Sequence, residues 1–193
     1  MADAFIRWYR ETAAVSVLDG QVKVFKEHGI ALAHPVMGAA TVLNIEGDAV
    51  LMRQEELSRL LGLRIAPLTI NWWFSADINV TDAYAYEPLG CEIQTFFLDG
   101  LHPEEMEHVE SAVIATSVAL DVPTRAVIVD RRGVSDPDDW DSLTMYDGEP
   151  APRFPDSVCA QEQIADKILQ TSPGLQKKKG RGGLYRLSPA HPV

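Results

Sequence analysis

The densest group of chemistry-bearing side chains is Asp136-Pro137-Asp138-Asp139-Trp140-Asp141, four carboxylates and an indole within six positions. Carboxylates so spaced suggest a calcium loop, but that loop needs glycine at its sixth position and glutamate at its twelfth. Asp141 and Asp147 stand there instead. The run therefore reads as a solvated acidic loop with Trp140 tucked against the body. A second candidate is Asp130, which ends the apolar run Ala126 to Val129. Sites in sheets with helical crossovers collect at the carboxyl ends of strands. Asp99 and His102 follow an earlier strand in the same way, so Asp99, His102 and Asp130 form an alternative pocket. Arg131 and Arg132 adjoin Asp130 and offer it a purely structural pairing.

Other chemistries lack their residues. The five histidines, His28, His34, His102, His108 and His191, never fall at the step that brings two onto one metal from one helix face. Cys91 and Cys159 are far apart and read as free thiols. No G-x-S-x-G elbow occurs, and the KKKGRGG run lacks the spacing of a phosphate-binding loop. The residues assign no catalytic group, no metal and no cofactor.

The reading these residues favour is a non-enzymatic binding protein, with an enzyme or small-ligand-binding domain at the Asp130 pocket and an accessory subunit of a larger bacterial assembly as alternatives. Trp72, Trp73 and Phe74 are consecutive, so an extended backbone sends Trp73 to the face opposite the other two. Trp73, Asp136, Asp138, Asp139, Trp140 and Asp141 are the expected partner surface, with aromatics as anchors and carboxylates as a charged rim. Charge points the same way. The 193-residue chain carries a net charge of −11, and every acidic side chain precedes Thr171. An exterior of that sign favours a basic protein partner. It repels nucleic acid, except through the tail cations Lys177, Lys178, Lys179 and Arg181. No apolar run approaches the ~20 residues of a membrane helix. The opening residues MADAFIRWYRE lack the basic head and apolar block of a secretory signal, so a cytoplasmic setting is expected.

The elements that must position these residues follow from periodicity. Cys91 to Leu98 reads as a strand, His102-Pro103-Glu104-Glu105 opens a long amphipathic helix, and Ala126 to Val129 reads as a buried strand. Together they form a crossover whose two strands should run parallel. Upstream, Ala2 to Thr12 has helical spacing of Phe5, Trp8 and Tyr9, and Val15 to Phe25 alternates about Asp19-Gly20 like a hairpin. Thr41 to Met52 repeats the hairpin pattern. Gln54 to Leu61 is a short helix with Gly62 as its cap. Pro67 to Val80 is expected as one long bent strand, with Thr81 to Pro88 as a connection. Leu143 to Tyr146 is expected as an edge strand, Glu149 to Pro155 as irregular, and Val158 to Gln170 as a last helix before a flexible basic tail in which Leu184, Tyr185 and Leu187 can dock on something apolar.

These elements predict an α+β fold: a single mixed, mostly antiparallel sheet, helices packed chiefly on one face, and an irregular C-terminal arm. Residues 1–148 would form the core domain and 149–193 the arm, short helix and tail. The element order across Thr41 to Asp147, with the segments EELSRLLGL and TINWWFS, resembles the small bacterial toxin-immunity proteins. The resemblance implies a cytoplasmic acidic protein that blocks a basic toxin by tight binding. It carries over no site residue.

Overall fold

Phe5 to Glu11, FIRWYRE, sets Phe5 and Tyr9 on one side and Ile6 and Trp8 on the other, and every residue from Phe5 to Arg10 is buried. A strand covered on both faces carries this pattern. In the computed structural model, which describes residues 3–13, 16–87, 90–120, 122–149 and 153–190, it is strand β1 (Phe5–Glu11) at the middle of the sheet. The helix expected over Ala2 to Thr12 is therefore corrected. Phe5, Trp8 and Tyr9 fit a helix face as well as two strand faces, and pairing on both sides decides between them.

The other strands are β2 (Ala40–Leu43), β3 (Ala49–Met52), β4 (Leu68–Trp73), β5 (Asn79–Glu87), β6 (Cys91–Phe97), β7 (Thr124–Asp130), β8 (Ser157–Ala160), β9 (Leu175–Lys179) and β10 (Tyr185–Pro189). They form one ten-stranded sheet in the order β3-β2-β4-β5-β6-β1-β7-β8-β10-β9, and every neighbouring pair is antiparallel. The helices are α1 (Leu18–Glu27), α2 (Gln54–Leu63), α3 (Pro103–Ala119), α4 (Asp141–Tyr146) and α5 (Glu162–Thr171). The α+β class with a single sheet holds. So does the crossover: β6 and β7 flank β1, each antiparallel to it, and thus run parallel to each other with α3 between them in sequence.

Two cores result. On one face Ile6, Trp8, Ile70, Trp72, Val80, Phe96, Val127 and Val129 meet Leu18 and Phe25 of α1, Leu57 and Leu61 of α2, and Val109 and Val113 of α3. On the other, Phe5, Tyr9, Ile93, Ala126 and Ile128 meet Trp140, Leu143 of α4, and Ala165 and Ile168 of α5. α1, α2 and α3 share one face, α4 and α5 lie on the other, and the second face is covered only over the β6-to-β10 half.

Several local expectations are corrected. Asp19-Gly20 is not a hairpin turn but lies in the first turn of α1, where a Cβ on Gly20 would stand 2.5 Å from Leu120 Cδ2. The glycine serves close approach to the end of α3. Pro67 to Val80 is a hairpin of β4 and β5, turned where Phe74 N–H donates to Ile78 O at 2.9 Å, and Tyr84 and Tyr86 belong to β5. Gly62 lies inside α2, which ends at Arg64 in the left-handed region (φ 52°). Leu143 to Tyr146 is helical, within α4. Of the Glu149 to Pro155 stretch, residues 150–152 lie outside the described residues.

The C-terminal segment is no irregular arm either. β8 pairs with β7, and β10 and β9 extend the same sheet. The lysine run lacks apolar alternation, yet it is no flexible tail. It is an edge strand, the place where lysine discourages further pairing. Lys177 turns toward α5, 2.5 Å from Asp166 Oδ1, and Leu184 and Leu187 are buried.

Candidate partner-binding face

Strand parity creates a bare surface. Ile70 and Trp72 of β4 and Val80 and Tyr84 of β5 point into the first core, so Thr69, Asn71, Trp73, Thr81 and Ala83 point the other way. Neither β2 nor β4 contributes a residue to the second core, and β5 adds only the half-buried Ala85. No helix covers this half of the sheet, where Thr69, Thr81 and Ala83 are partly exposed while Thr41, Asn71 and Trp73 are buried. Thr81 Oγ1 donates to Asn71 Oδ1 at 3.1 Å across the strands. Trp73 lies on the same side at the β4 terminus, 9 % exposed, its ring edge-on to His34 with centroids 4.3 Å apart. Its indole N–H is buried without a hydrogen-bond partner.

The acidic turn borders this surface. Asp136 accepts from Asp138 N–H at 3.0 Å while Asp139 accepts from Asp136 N–H at 3.2 Å, a reciprocal cap that fixes the 3-10 turn Pro137–Trp140. Asp141 is pinned to the sheet: Arg7 Nη2 donates to both its oxygens at 2.7 and 2.8 Å, and Tyr9 OH donates to Oδ1 at 2.6 Å. Burial, opposed by Arg7 and reinforced by Asp141, pushes the Tyr9 hydroxyl well above its ordinary value, so it remains a donor. Arg7 Nη1 also donates to Thr95 Oγ1 at 3.0 Å, and Thr95 is paired with Ala83 of the bare surface. The acidic turn is thus anchored directly beside it.

The expected surface residues separate accordingly. Asp136, Asp138 and Asp139 are solvent-facing, Asp138 with 81 % of its side chain exposed although Arg7 lies 3.1 Å away. Among the described residues Asp136 and Asp139 form no ion pair. Asp141 is consumed by Arg7 and Tyr9. Trp140 is corrected as an anchor: it is fully buried, with its N–H donated to Ser135 Oγ at 3.1 Å.

The alternative pocket does not assemble. Asp130 is buried and its two oxygens accept from Arg132 N, Val134 N, Ser135 N and Ser135 Oγ at 2.8–3.2 Å, so it shapes the following loop and has no lone pair left for a substrate. Asp99 accepts weakly from Ala4 N–H at 3.4 Å. His102 starts α3, its N–H donated to Glu105 Oε2 at 2.7 Å. No hydrogen bond or ion pair among the described residues joins the three. Lys178, Lys179 and Arg181 are exposed, in β9 and the turn after it. Among the described residues no group of three or more histidine, cysteine or acidic side chains is placed to hold a metal ion, and no helix is long and apolar enough to cross a membrane.

Sequence reasoning missed a buried ionic network. Arg10 Nη2 lies 3.0 Å from Glu92 Oε2, Arg10 Nη1 donates to Gln94 Oε1 at 2.6 Å, and the guanidinium stacks 4.4 Å above Trp8 and bonds Tyr84 OH. Glu92 also holds Arg64 at 2.8 Å, and Gln94 donates to Gln21 of α1 at 3.2 Å and to Asp82 at 2.7 Å. Burial raises Asp82 to about 7, against the opposing pull of hydrogen bonds from Trp72 and Gln94 and of the Arg10 charge. The network ties α1 and the end of α2 to three strands. Its only trace in the sequence is polar residues at core-facing positions of strands: Arg10, Asp82, Glu92 and Gln94.

Comparison of the chain with protein-family models, with curated proteins and with solved structures gave no match.

Proposed function

We propose that this protein is a non-enzymatic binding module that captures a basic protein partner on the bare face of β2, β4 and β5, in a cytoplasmic setting. The reading follows the resemblance to the small bacterial toxin-immunity proteins, in which an acidic protein blocks a toxin by tight association. The observation that carries it is a helix-free sheet surface bordered by three rigidly presented, solvent-facing carboxylates, Asp136, Asp138 and Asp139. Helix-free sheet area supplies contact, and one-signed charge at the rim raises the encounter rate with a cationic protein.

Capture from the native host at low and high salt tests the proposal. A basic protein retained at low salt and released as salt rises is expected. Asp138→Asn with Asp139→Asn should slow association with that protein several-fold while leaving the melting temperature unchanged. Ala83→Arg, which plants bulk and positive charge on the bare face, should abolish binding. Retention indifferent to salt, or an Ala83→Arg variant that binds normally, sinks the reading.

A further inference from the structure

The basic C-terminal segment has no part in that surface. Lys178 stands opposite Arg186 in the β9–β10 ladder, on the sheet face that carries α3, and Arg181 sits in the turn between the two strands. α1 packs along one flank of α3. Along the other flank, Ile114 and Val118 overhang β8 and β10 and leave a cleft of about 630 Å³, floored by Cys159 and Arg186 and bounded by Leu184 and Arg181. That volume suits a small organic ligand.

The walls are mainly aliphatic, and the charge is positive. Glu110 also lines the cleft, its Oε2 2.5 Å from Arg131, which Glu107 shares at 3.5 Å, and its Oε1 3.5 Å from Arg186; against this one carboxylate the lining sets two guanidinium groups, Arg181 and Arg186. Neither Lys178 nor Arg181 has a side-chain hydrogen bond or ion pair among the described residues. The Cys159 thiol is raised by burial and adds no negative charge. An aliphatic trough with forked cation donors at one side matches a molecule with a hydrocarbon body and an anionic head. Nucleic acid fits less well, because the nearby aromatic, Tyr185, packs on the opposite sheet face beneath Lys177 and leaves no stacking platform in the cleft.

We infer that the α3–β10 cleft binds a free amphipathic carboxylate of the medium-chain fatty-acid class, its chain along Ile114, Val118 and Leu184 and its head on Arg186 and Arg181. The site is separate from the proposed partner face, and either can fail without the other. Cys159 makes it measurable: Cys91 is wholly buried, so thiol labelling of the folded chain reports on Cys159 at the cleft floor.

The full chain titrated with decanoate below its micelle concentration should show saturable binding by calorimetry and a several-fold slower labelling of Cys159. Decanol should bind about tenfold more weakly, and Arg186→Gln should lose a similar factor, the contribution of a charge-assisted hydrogen bond. Val118→Trp, which fills the trough, should abolish binding with the circular dichroism unchanged. Equal affinity for decanol and decanoate, full affinity in Arg186→Gln, unprotected Cys159 at saturating decanoate, or protection by a short oligothymidylate and not by decanoate would each overturn the inference.

Discussion

At the scale of single residues, the chain commits its costliest groups to its interior. Asp82 is fully enclosed, with Trp72 Nε1 at 3.0 Å and Gln94 Nε2 at 2.7 Å both directed at Oδ2, while Oδ1 has no partner. Burial raises its value from 3.8 to about 7. Between those two values the folded chain retains a proton that the unfolded chain has released, so stability is greatest on the acid side, declines as pH climbs toward about 7, and levels off above it. Asp82→Asn keeps the shape and removes the titration. Its melting temperature should exceed that of the wild type by a few degrees near pH ~8 and converge with it near pH ~4.5. Thermal melts across that range decide. A difference independent of pH would mean that Asp82 is ionised in the fold.

Elements register information from far along the chain, and α1 illustrates how. Replacing an open helical glycine by alanine stabilises by about 1 kcal/mol. Gly20→Ala should instead be neutral or destabilising, because the new methyl meets Leu120. In a Leu120→Ala background the same change should recover its stabilising sign, as denaturant titration of the four proteins would show. Additive effects of the two substitutions would mean that the contact is inconsequential. Within VSVLDGQVKVF, Asp-Gly mimics a turn and VKVF mimics a strand; Leu18 and Phe25 share the face that packs on the first core, a pairing with distant strands that local alternation does not reveal. By contrast, β6, α3, β7, α2 and the β2–β3 hairpin each carry enough local periodicity to be read from the sequence. The solvent-facing Asp136, Asp138 and Asp139 were legible in the same way. So was Trp140 tucked against the body, whereas the helix-free face was not, because it depends on which strands become neighbours.

For the whole molecule, the ten strands make a sheet that no early fragment completes. β8 to β10 with α5 supply Val158, Ala160, Ala165, Ile168 and Leu187 to the second core, and β8 hydrogen-bonds β7 along Val129 to Ala126. A chain ending at Gly148 should therefore lack a cooperative thermal transition and aggregate, as calorimetry and sedimentation would show. A soluble fragment melting cooperatively would instead make residues 149–193 an appendage. The position of β1 extends this dependence into biosynthesis. FIRWYR leaves the ribosome ahead of both strands it must join, and more than a hundred residues separate Glu11 from Thr124. At ~5–20 residues per second it waits on the order of ten seconds with both backbone edges and both apolar sides open. The keystone of the sheet is thus the segment most in need of a chaperone during translation.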